Sequence, residues 1–142
     1  MLLFISSKMN IGVVVDNEFD HDHRVQKEIR LLQAEGHAVF VLCFDFQKTY
    51  KTYNELTVTR IRLHKKLKNL YVLLSTNFNF YEWLWQKNIA KFITKNKIEA
   101  LHVHDLYLAR AARKGILKSK SNIPLTLDLH ENYPAAINSY QW

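Results

Sequence analysis

The sequence predicts an α/β fold, a Rossmann-like parallel sheet flanked by helices, and three observations predict it. Apolar runs of strand length alternate with segments in which apolar residues recur at helical spacing. This order is typical of parallel strands joined by right-handed crossover helices. Clusters of His, Asp and Glu follow three of the apolar runs. The carboxyl ends of parallel strands form the edge of the sheet at which ligands bind.

The first part of the chain contains two predicted strands separated by a helix. One strand lies near residues 10 to 15, and a second covers residues 38 to 44, which are apolar throughout and therefore buried on both faces. Between them, one helical face carries apolar residues at positions i, i+4 and i+7: Val25, Ile29 and Leu32. Asp22 is placed to cap this helix, and Gly36 marks its end.

The second part of the chain continues the same alternation. Residues 56 to 63 alternate between apolar and polar and predict an edge strand. A long helix follows, for which Asn79 and Glu82 predict a capping box. Its apolar stripe contains four large residues: Tyr81, Trp85, Ile89 and Phe92. The last predicted elements are a strand at 100–103, a helix at 106–114 closed by Gly115, and a strand at 124–129.

Composition limits the class of protein. A hydrophobic content of 48% with scattered charges predicts a packed globule. The single cysteine, Cys43, lies within an apolar run and predicts a buried thiol, which fits a reducing compartment. No apolar stretch approaches the roughly 20 residues of a membrane span, so a soluble or peripheral protein is expected. The net charge is +7, and many of the cations lie between Lys48 and Lys68. This basic block indicates either an anionic partner or a solvated face.

Four segments together resemble a known family. They are DHRVQKEIRLLQAEGHAV at 22–39, VLCFD at 41–45, LHVHDLYLA at 101–109 and IPLTLDLHENYP at 123–134. In order and spacing they resemble the N-terminal domain of family 4 glycosyltransferases. The resemblance extends over residues 10–142, although the loop from Asp16 to Asp22 lacks the glycines that many members place there.

The resemblance implies a GT-B architecture of two Rossmann-like domains facing a cleft. Residues 1–142 would then be a partial N-terminal, acceptor-side domain, and the C-terminal donor-binding domain would be absent. The full-length enzyme would transfer a sugar, with retention, from a nucleotide-sugar co-substrate to a glycan or lipid-linked acceptor, with no other cofactor and no metal. We would expect a bacterial, cytoplasmic protein of polysaccharide biosynthesis, peripheral at the inner face of the membrane, that is inactive as this chain alone.

The residues proposed for such a site lie at the predicted strand ends. By resemblance His130 falls close to the transferred sugar and is the candidate catalytic residue; the alternative is a histidine satisfied within its loop. Asp128 and Glu131 would orient His130 or hold an acceptor hydroxyl. The other candidate substrate-binding residues are His104, Asp105, Asp22 and Arg24. Asp105 and Asp22 are also ordinary helix caps.

Other readings of the same residues remain open. The cluster Asp20-His21-Asp22-His23 contains metal-binding residue types but has no fixed metal-ligand spacing, so no metal site is predicted. The rival functions are a non-catalytic sugar- or nucleotide-binding module and a metal-dependent hydrolase that uses the His/Asp cluster. No recognised nucleic-acid module is present, so no nucleic-acid partner is expected. Phe80 and Trp83 lie outside the apolar stripe and suggest peripheral membrane contact, and exposed apolar area suggests a homo-oligomer.

Overall fold

A five-stranded parallel sheet forms the centre of the structure, a computed structural model that describes residues 8–46, 52–53, 55–74 and 79–128. The strand order is β3-β2-β1-β4-β5, and all the pairs are parallel. The strands are β1 (Asn10–Val14), β2 (Ala38–Asp45), β3 (Thr57–Arg62), β4 (Ala100–His104) and β5 (Leu125–Asp128). The predicted Rossmann-like α/β fold is confirmed.

Helices flank this sheet. The α-helices are α1 (His23–Ala34), α2 (Lys65–Leu74), α3 (Phe80–Asn96) and α4 (Ala109–Lys118). Short 3₁₀ turns at Phe19–His21 and Leu106–Leu108 lead into α1 and α4. None of the helices within these described residues combines the length and the apolar content needed to cross a membrane.

The sheet has an apolar core on each face because successive strand residues point to opposite sides. Val13 belongs to the core beneath α1, together with Val25 and Ile29 of that helix. Val14 belongs to the core beneath α3 and α4, which contains the largest buried side chain, Trp85. The predicted apolar stripe of α3 is confirmed, and all four of its members are buried: Tyr81, Trp85, Ile89 and Phe92.

The ends of α1 agree with the sequence. The side chain of Asp22 accepts a hydrogen bond from the backbone N–H of Val25 at 3.1 Å. The helix ends at Ala34, and Gly36 follows with a φ of 89°, a conformation that glycine adopts at little cost. Both the cap and the stop were predictable because they depend on local chemistry.

The capping box predicted for α3 is wrong. Asn79 precedes the helix but makes no side-chain capping hydrogen bond. Glu82 instead pairs with two cations of α4: it accepts a hydrogen bond from Lys114, and its Oε2 lies 3.3 Å from Nε of Arg110. Two opposite charges on a packed neighbouring helix compete successfully for this carboxylate, and the sequence pattern does not reveal that neighbour.

Gly115 was predicted to close α4, but it lies inside the helix, which continues to Lys118. A Cβ atom at Gly115 would approach Cγ2 of Ile89 to 2.7 Å. This glycine therefore allows α3 and α4 to pack closely, and it does not act as a stop signal. The helix α2 was not predicted from the sequence.

The strand order places a topological switch point between β1 and β4. From β1 the chain crosses to β2 on one side, whereas β4 and β5 lie on the other side. In open α/β sheets the connections leave such a point in opposite directions and create a crevice outside the carboxyl ends of the two strands. The segments that border this crevice contain Asp16, two residues after β1, and Asp105, directly after β4.

Candidate functional site

A crevice of about 440 Å³ lies at this switch point. Its wall is mainly apolar and aromatic and is built from the segments after β1 and β4 and from the first turns of α3 and α4. The lining residues are Asp16, Asn79, Tyr81, Glu82, Trp85, Tyr107, Leu108 and Ala111. Pockets for small molecules commonly combine such apolar walls with a few fixed polar groups.

The polar centre of the crevice is the carboxylate of Asp16, which is only 6% exposed. Tyr81 donates its hydroxyl to Oδ1, and Tyr107 donates its hydroxyl to Oδ2. Nζ of Lys68 lies 3.1 Å from Oδ2 and donates to the backbone oxygen of Asp16 at 2.8 Å. Three separate segments of the chain therefore fix one carboxylate at the end of β1.

Burial dominates the electrostatics of this group. Desolvation raises the pKa of Asp16 above its ordinary value, although Lys68 and the two tyrosine hydroxyls each favour the charged form. The pKa values of Tyr81 and Tyr107 are also raised, first by burial and then by the neighbouring Asp16 charge. A carboxylate whose pKa is raised by burial in a cleft marks a candidate functional site.

Among the described residues, the lining of the crevice includes two carboxylates and no lysine or arginine. Glu82 is neutralised from the side of α4 by Arg110 and Lys114. The indole Nε1 of Trp85 is buried and meets no hydrogen-bond partner among the described residues. With Glu82 paired and the Trp85 nitrogen buried, the crevice offers a ligand the hydrogen-bond acceptor of Asp16 between apolar walls.

Asp105 adopts an unusual backbone conformation beside the crevice. Its φ is 85°, a region that non-glycine residues rarely occupy. Its N–H donates to the backbone oxygen of Asp128 at 3.3 Å, and the hydroxyl oxygen of Tyr107 lies 3.4 Å from Oδ2 of Asp105. Asp105 precedes a 3₁₀ turn but makes no side-chain capping hydrogen bond. The capping role considered for Asp105 is therefore wrong, because its positive φ differs from the extended backbone that helix-capping residues adopt.

A second polar cluster lies on the opposite face of the sheet, beneath α1. Both oxygens of Glu28 reach histidines of β4: Oε1 lies 2.7 Å from Nδ1 of His102, and Oε2 lies 3.4 Å from Nε2 of His104. Nδ1 of His104 lies 3.6 Å from Oδ2 of Asp128 on the neighbouring strand. His104 is 1% exposed. The stacked imidazole rings have centroids 4.8 Å apart.

The structure brings together part of the predicted site. His104 and Asp128 are adjacent in the register of β4 and β5, and Asp105 follows directly. Asp22 caps α1, and Arg24 is exposed at the start of that helix. His130 and Glu131 lie outside the described residues. Their proposed roles remain untested, as do those of the other candidates.

The basic block is partly neutralised by two acids that follow β1 and by Asp45, the last residue of β2. Arg60 binds Asp20 through two nitrogens, at 2.6 and 3.0 Å, and this pair is almost fully buried. Lys68 binds Asp16, and Arg62 lies 3.8 Å from Asp45. Lys48 and Lys51 lie outside the described residues. His21 and His23, considered as metal ligands, are exposed.

Sequence reasoning missed the residues that build the crevice. Asp16 directly follows the first strand, and this position was the signal that could have selected it. Tyr81 was assigned to the apolar stripe of α3, and Tyr107 lay within the helix predicted at 106–114. Both tyrosines are far from Asp16 in sequence, so the spacing of residues along the chain does not predict these hydrogen bonds.

Comparison with known proteins finds little sequence similarity. No family model matches the chain, and no curated protein matches it. Among solved structures, a universal stress protein from Archaeoglobus fulgidus is similar, with a TM-score of 0.40 and 17% identity over 84% of this chain and 92% of that chain. At this TM-score and identity, the similarity gives no information about function.

These comparisons correct the family prediction. No family model supports membership of the family 4 glycosyltransferases, and a solved structure that does match is a universal stress protein. Glycosyl transfer, the enzyme class and a place in polysaccharide biosynthesis are therefore withdrawn. The physical reason is that polar clusters at the carboxyl ends of strands are a property of the Rossmann-like sheet itself. The motifs identified the fold and carried no reliable family signal.

Proposed function

We propose that this chain is a small-molecule binding module whose ligand occupies the crevice between β1 and β4. The observation that carries the proposal is the buried carboxylate of Asp16, fixed by Tyr81 and Tyr107 beside a crevice of about 440 Å³. A buried charge of this kind is costly, and a ligand that donates hydrogen bonds to it supplies a reason for keeping it.

The lining residues indicate the chemical class of the ligand. Apolar and aromatic walls favour a ring, and Asp16 favours a hydroxyl or an amine that donates a hydrogen bond. Lys and Arg are absent from the described lining, and the charge of nearby Lys68 is paired with Asp16, which disfavours an anion. The loop from Asp16 to Asp22 contains no glycine, so its backbone does not provide the close approach that phosphate-binding loops use. The ligand is therefore a neutral or cationic ring compound.

The test uses matched pairs of probes that differ in charge. Phenethylamine and phenylacetate share a ring and a similar length, and adenosine and AMP differ by one phosphate. Calorimetric titration should show the amine binding more tightly than the carboxylate, and adenosine more tightly than AMP. Failure of phenethylamine and adenosine to bind at millimolar concentration, or tighter binding by the anionic members, would contradict the proposal.

Two variants connect binding to the crevice. Tyr107→Phe removes a hydroxyl that contacts Asp16, and this change should weaken binding of the preferred probe by about 5- to 10-fold, as expected for one hydrogen bond. The matched control is Tyr53→Phe, because Tyr53 donates its hydroxyl to Asp20 at 3.1 Å outside the crevice. The control should bind as the unmodified chain does.

A further inference from the structure

We propose that Glu28, His102, His104 and Asp128 form a binding site for a divalent transition-metal ion of the zinc class. The proposal is independent of the ligand assigned to the crevice. It uses the opposite face of the sheet, because His102 and His104 alternate along β4 with Leu101 and Val103, which belong to the core beneath α3 and α4.

Geometry is the first argument. One ligand atom from each of the four residues can be chosen so that all four atoms lie within 4.8 Å of one another. Ligands about 2.0 to 2.2 Å from a tetrahedral zinc ion are about 3.3 to 3.6 Å apart. The residues are already in contact: Glu28 lies 2.7 Å from His102 and 3.4 Å from His104, and His104 lies 3.6 Å from Asp128, through both oxygens of Glu28 and both nitrogens of His104. Side-chain movements of about 1 Å would close this set around an ion.

The donor chemistry is the second argument. Two imidazoles with two carboxylates suit first-row ions such as Zn²⁺ and Co²⁺, whereas Mg²⁺ and Ca²⁺ prefer oxygen alone. Three ligands come from elements whose positions are fixed by the fold: His102 and His104 are two residues apart on one face of β4, and Glu28 projects from α1. Asp128 pairs with His104 in the register of β4 and β5.

Hydrogen bonding among these residues does not account for the whole cluster. Glu28 contacts Nδ1 of His102, yet the Nε2 atom of the same ring is buried and meets no hydrogen-bond partner among the described residues. A histidine kept only as an anchor for Glu28 would leave this buried nitrogen unsatisfied, which is unfavourable. A metal ligand is a different reason for keeping the histidine at this position.

The test is titration of the full 142-residue chain, first freed of metal by chelation, with Co²⁺ and Zn²⁺. We expect about one ion per chain, visible absorption bands typical of four-coordinate Co²⁺, displacement of Co²⁺ by Zn²⁺, and a higher melting temperature in the presence of Zn²⁺. Absence of saturable binding at micromolar Co²⁺, or binding without the four-coordinate bands, would overturn the proposal.

Matched variants assign the ion to these residues. His102→Ala should weaken Co²⁺ binding by about 100-fold or more, because loss of a residue that merely supports a ligand already weakens metal binding by about 10- to 100-fold. Glu28→Gln keeps the shape of a partly exposed side chain and should also weaken binding while the circular dichroism spectrum stays unchanged. The control is His21→Ala/His23→Ala, which removes two exposed histidines. Unchanged affinity in both His102→Ala and Glu28→Gln, or equal loss in the control, would place the ion elsewhere.

Discussion

Tyr107 donates its side-chain hydroxyl to Oδ2 of Asp16 and so joins the segment after β4 to the segment after β1. The two residues are 91 positions apart in sequence, and they meet where the order of the strands places a switch point. Tyr81 completes the arrangement from α3. The Asp16 carboxylate of the crevice is therefore held by two tyrosines that only the folded chain brings to it.

The charge of Asp16 should reduce stability at neutral pH. Burial raises its pKa, so the folded state binds the proton more tightly than the unfolded state, and stability is lost as pH rises above the ordinary pKa of aspartate. Asp16→Asn should therefore unfold at an equal or higher temperature than the unmodified chain at pH 7. The difference should shrink below about pH 4, where the carboxyl is protonated in both states.

Thermal unfolding followed by circular dichroism between pH 3 and 8 checks this expectation. Asp22→Asn is the matched control, because asparagine is as good a helix cap as aspartate and little change is expected. A clear destabilisation of Asp16→Asn at pH 7 would contradict this expectation, because it would show that the pairing with Lys68 outweighs the cost of burying the charge.

The buried pair of Arg60 and Asp20 should be a major contributor to the stability of the β3 edge. Both side chains are less than 10% exposed, and Tyr53 adds a hydroxyl to the same carboxylate. Arg60→Leu leaves the charge of Asp20 buried without its partner cation and should lower the free energy of unfolding by about 3 to 5 kcal/mol. Urea unfolding measures this loss.

The double variant Arg60→Leu/Asp20→Asn tests whether the two charges contribute to stability as a pair. Removing both charges should recover much of the loss, since replacement of a whole buried ion pair is often close to neutral. Additive losses in the two single variants would show that the residues do not act as a pair.

Cys43 should be chemically inert in the folded protein. It is fully buried, as the sequence predicted, and burial raises the pKa of its thiol to about 11. Because the thiolate is the nucleophile, iodoacetamide at pH 8 should label the native chain far more slowly than the urea-unfolded chain, as measured by mass spectrometry. The protonated thiol favours the folded state, and this contribution should be lost as pH rises from about 9 to 11. Rapid labelling of the native chain would show that the thiol is accessible.

Gly115→Ala should destabilise the protein despite the higher helix propensity of alanine. The propensity gain is about 1 kcal/mol, whereas overpacking a tight core contact costs about 1 to 3 kcal/mol. The new methyl would approach Cγ2 of Ile89, which is fully buried, to 2.7 Å. A lower urea midpoint with an unchanged slope is expected. Increased stability would show that α3 and α4 separate easily.

The fold was largely predictable because it depends on local patterns. The apolar runs that became β1, β2 and β4, and the stripe of α3 centred on Trp85, follow from periodicity and burial. The errors occurred where a distant neighbour decides the local structure. Glu82 binds α4 instead of capping its own helix, and Gly115 permits close packing instead of ending a helix.

The candidate site was less predictable for the same reason. His104 and Asp128 were selected from their positions at strand ends, and they do meet in the sheet. Glu28, however, was not among the predicted site residues, and it binds two histidines of β4. Only the packing of α1 on the sheet brings these residues together, and no short-range pattern encodes that packing.

The central claim is that a small ring compound binds in the crevice between β1 and β4, and the indole N–H signal of Trp85 tests it most directly. Trp85 lines the crevice and is fully buried, whereas Trp83 on the same helix is 53% exposed. The sequence contains three tryptophans, so Trp83→Phe and Trp142→Phe assign the three indole signals in a ¹H–¹⁵N spectrum. With saturating phenethylamine or adenosine, the Trp85 signal should shift progressively and the Trp83 signal should stay in place. An unmoved Trp85 signal, or equal movement of both signals, would contradict the account.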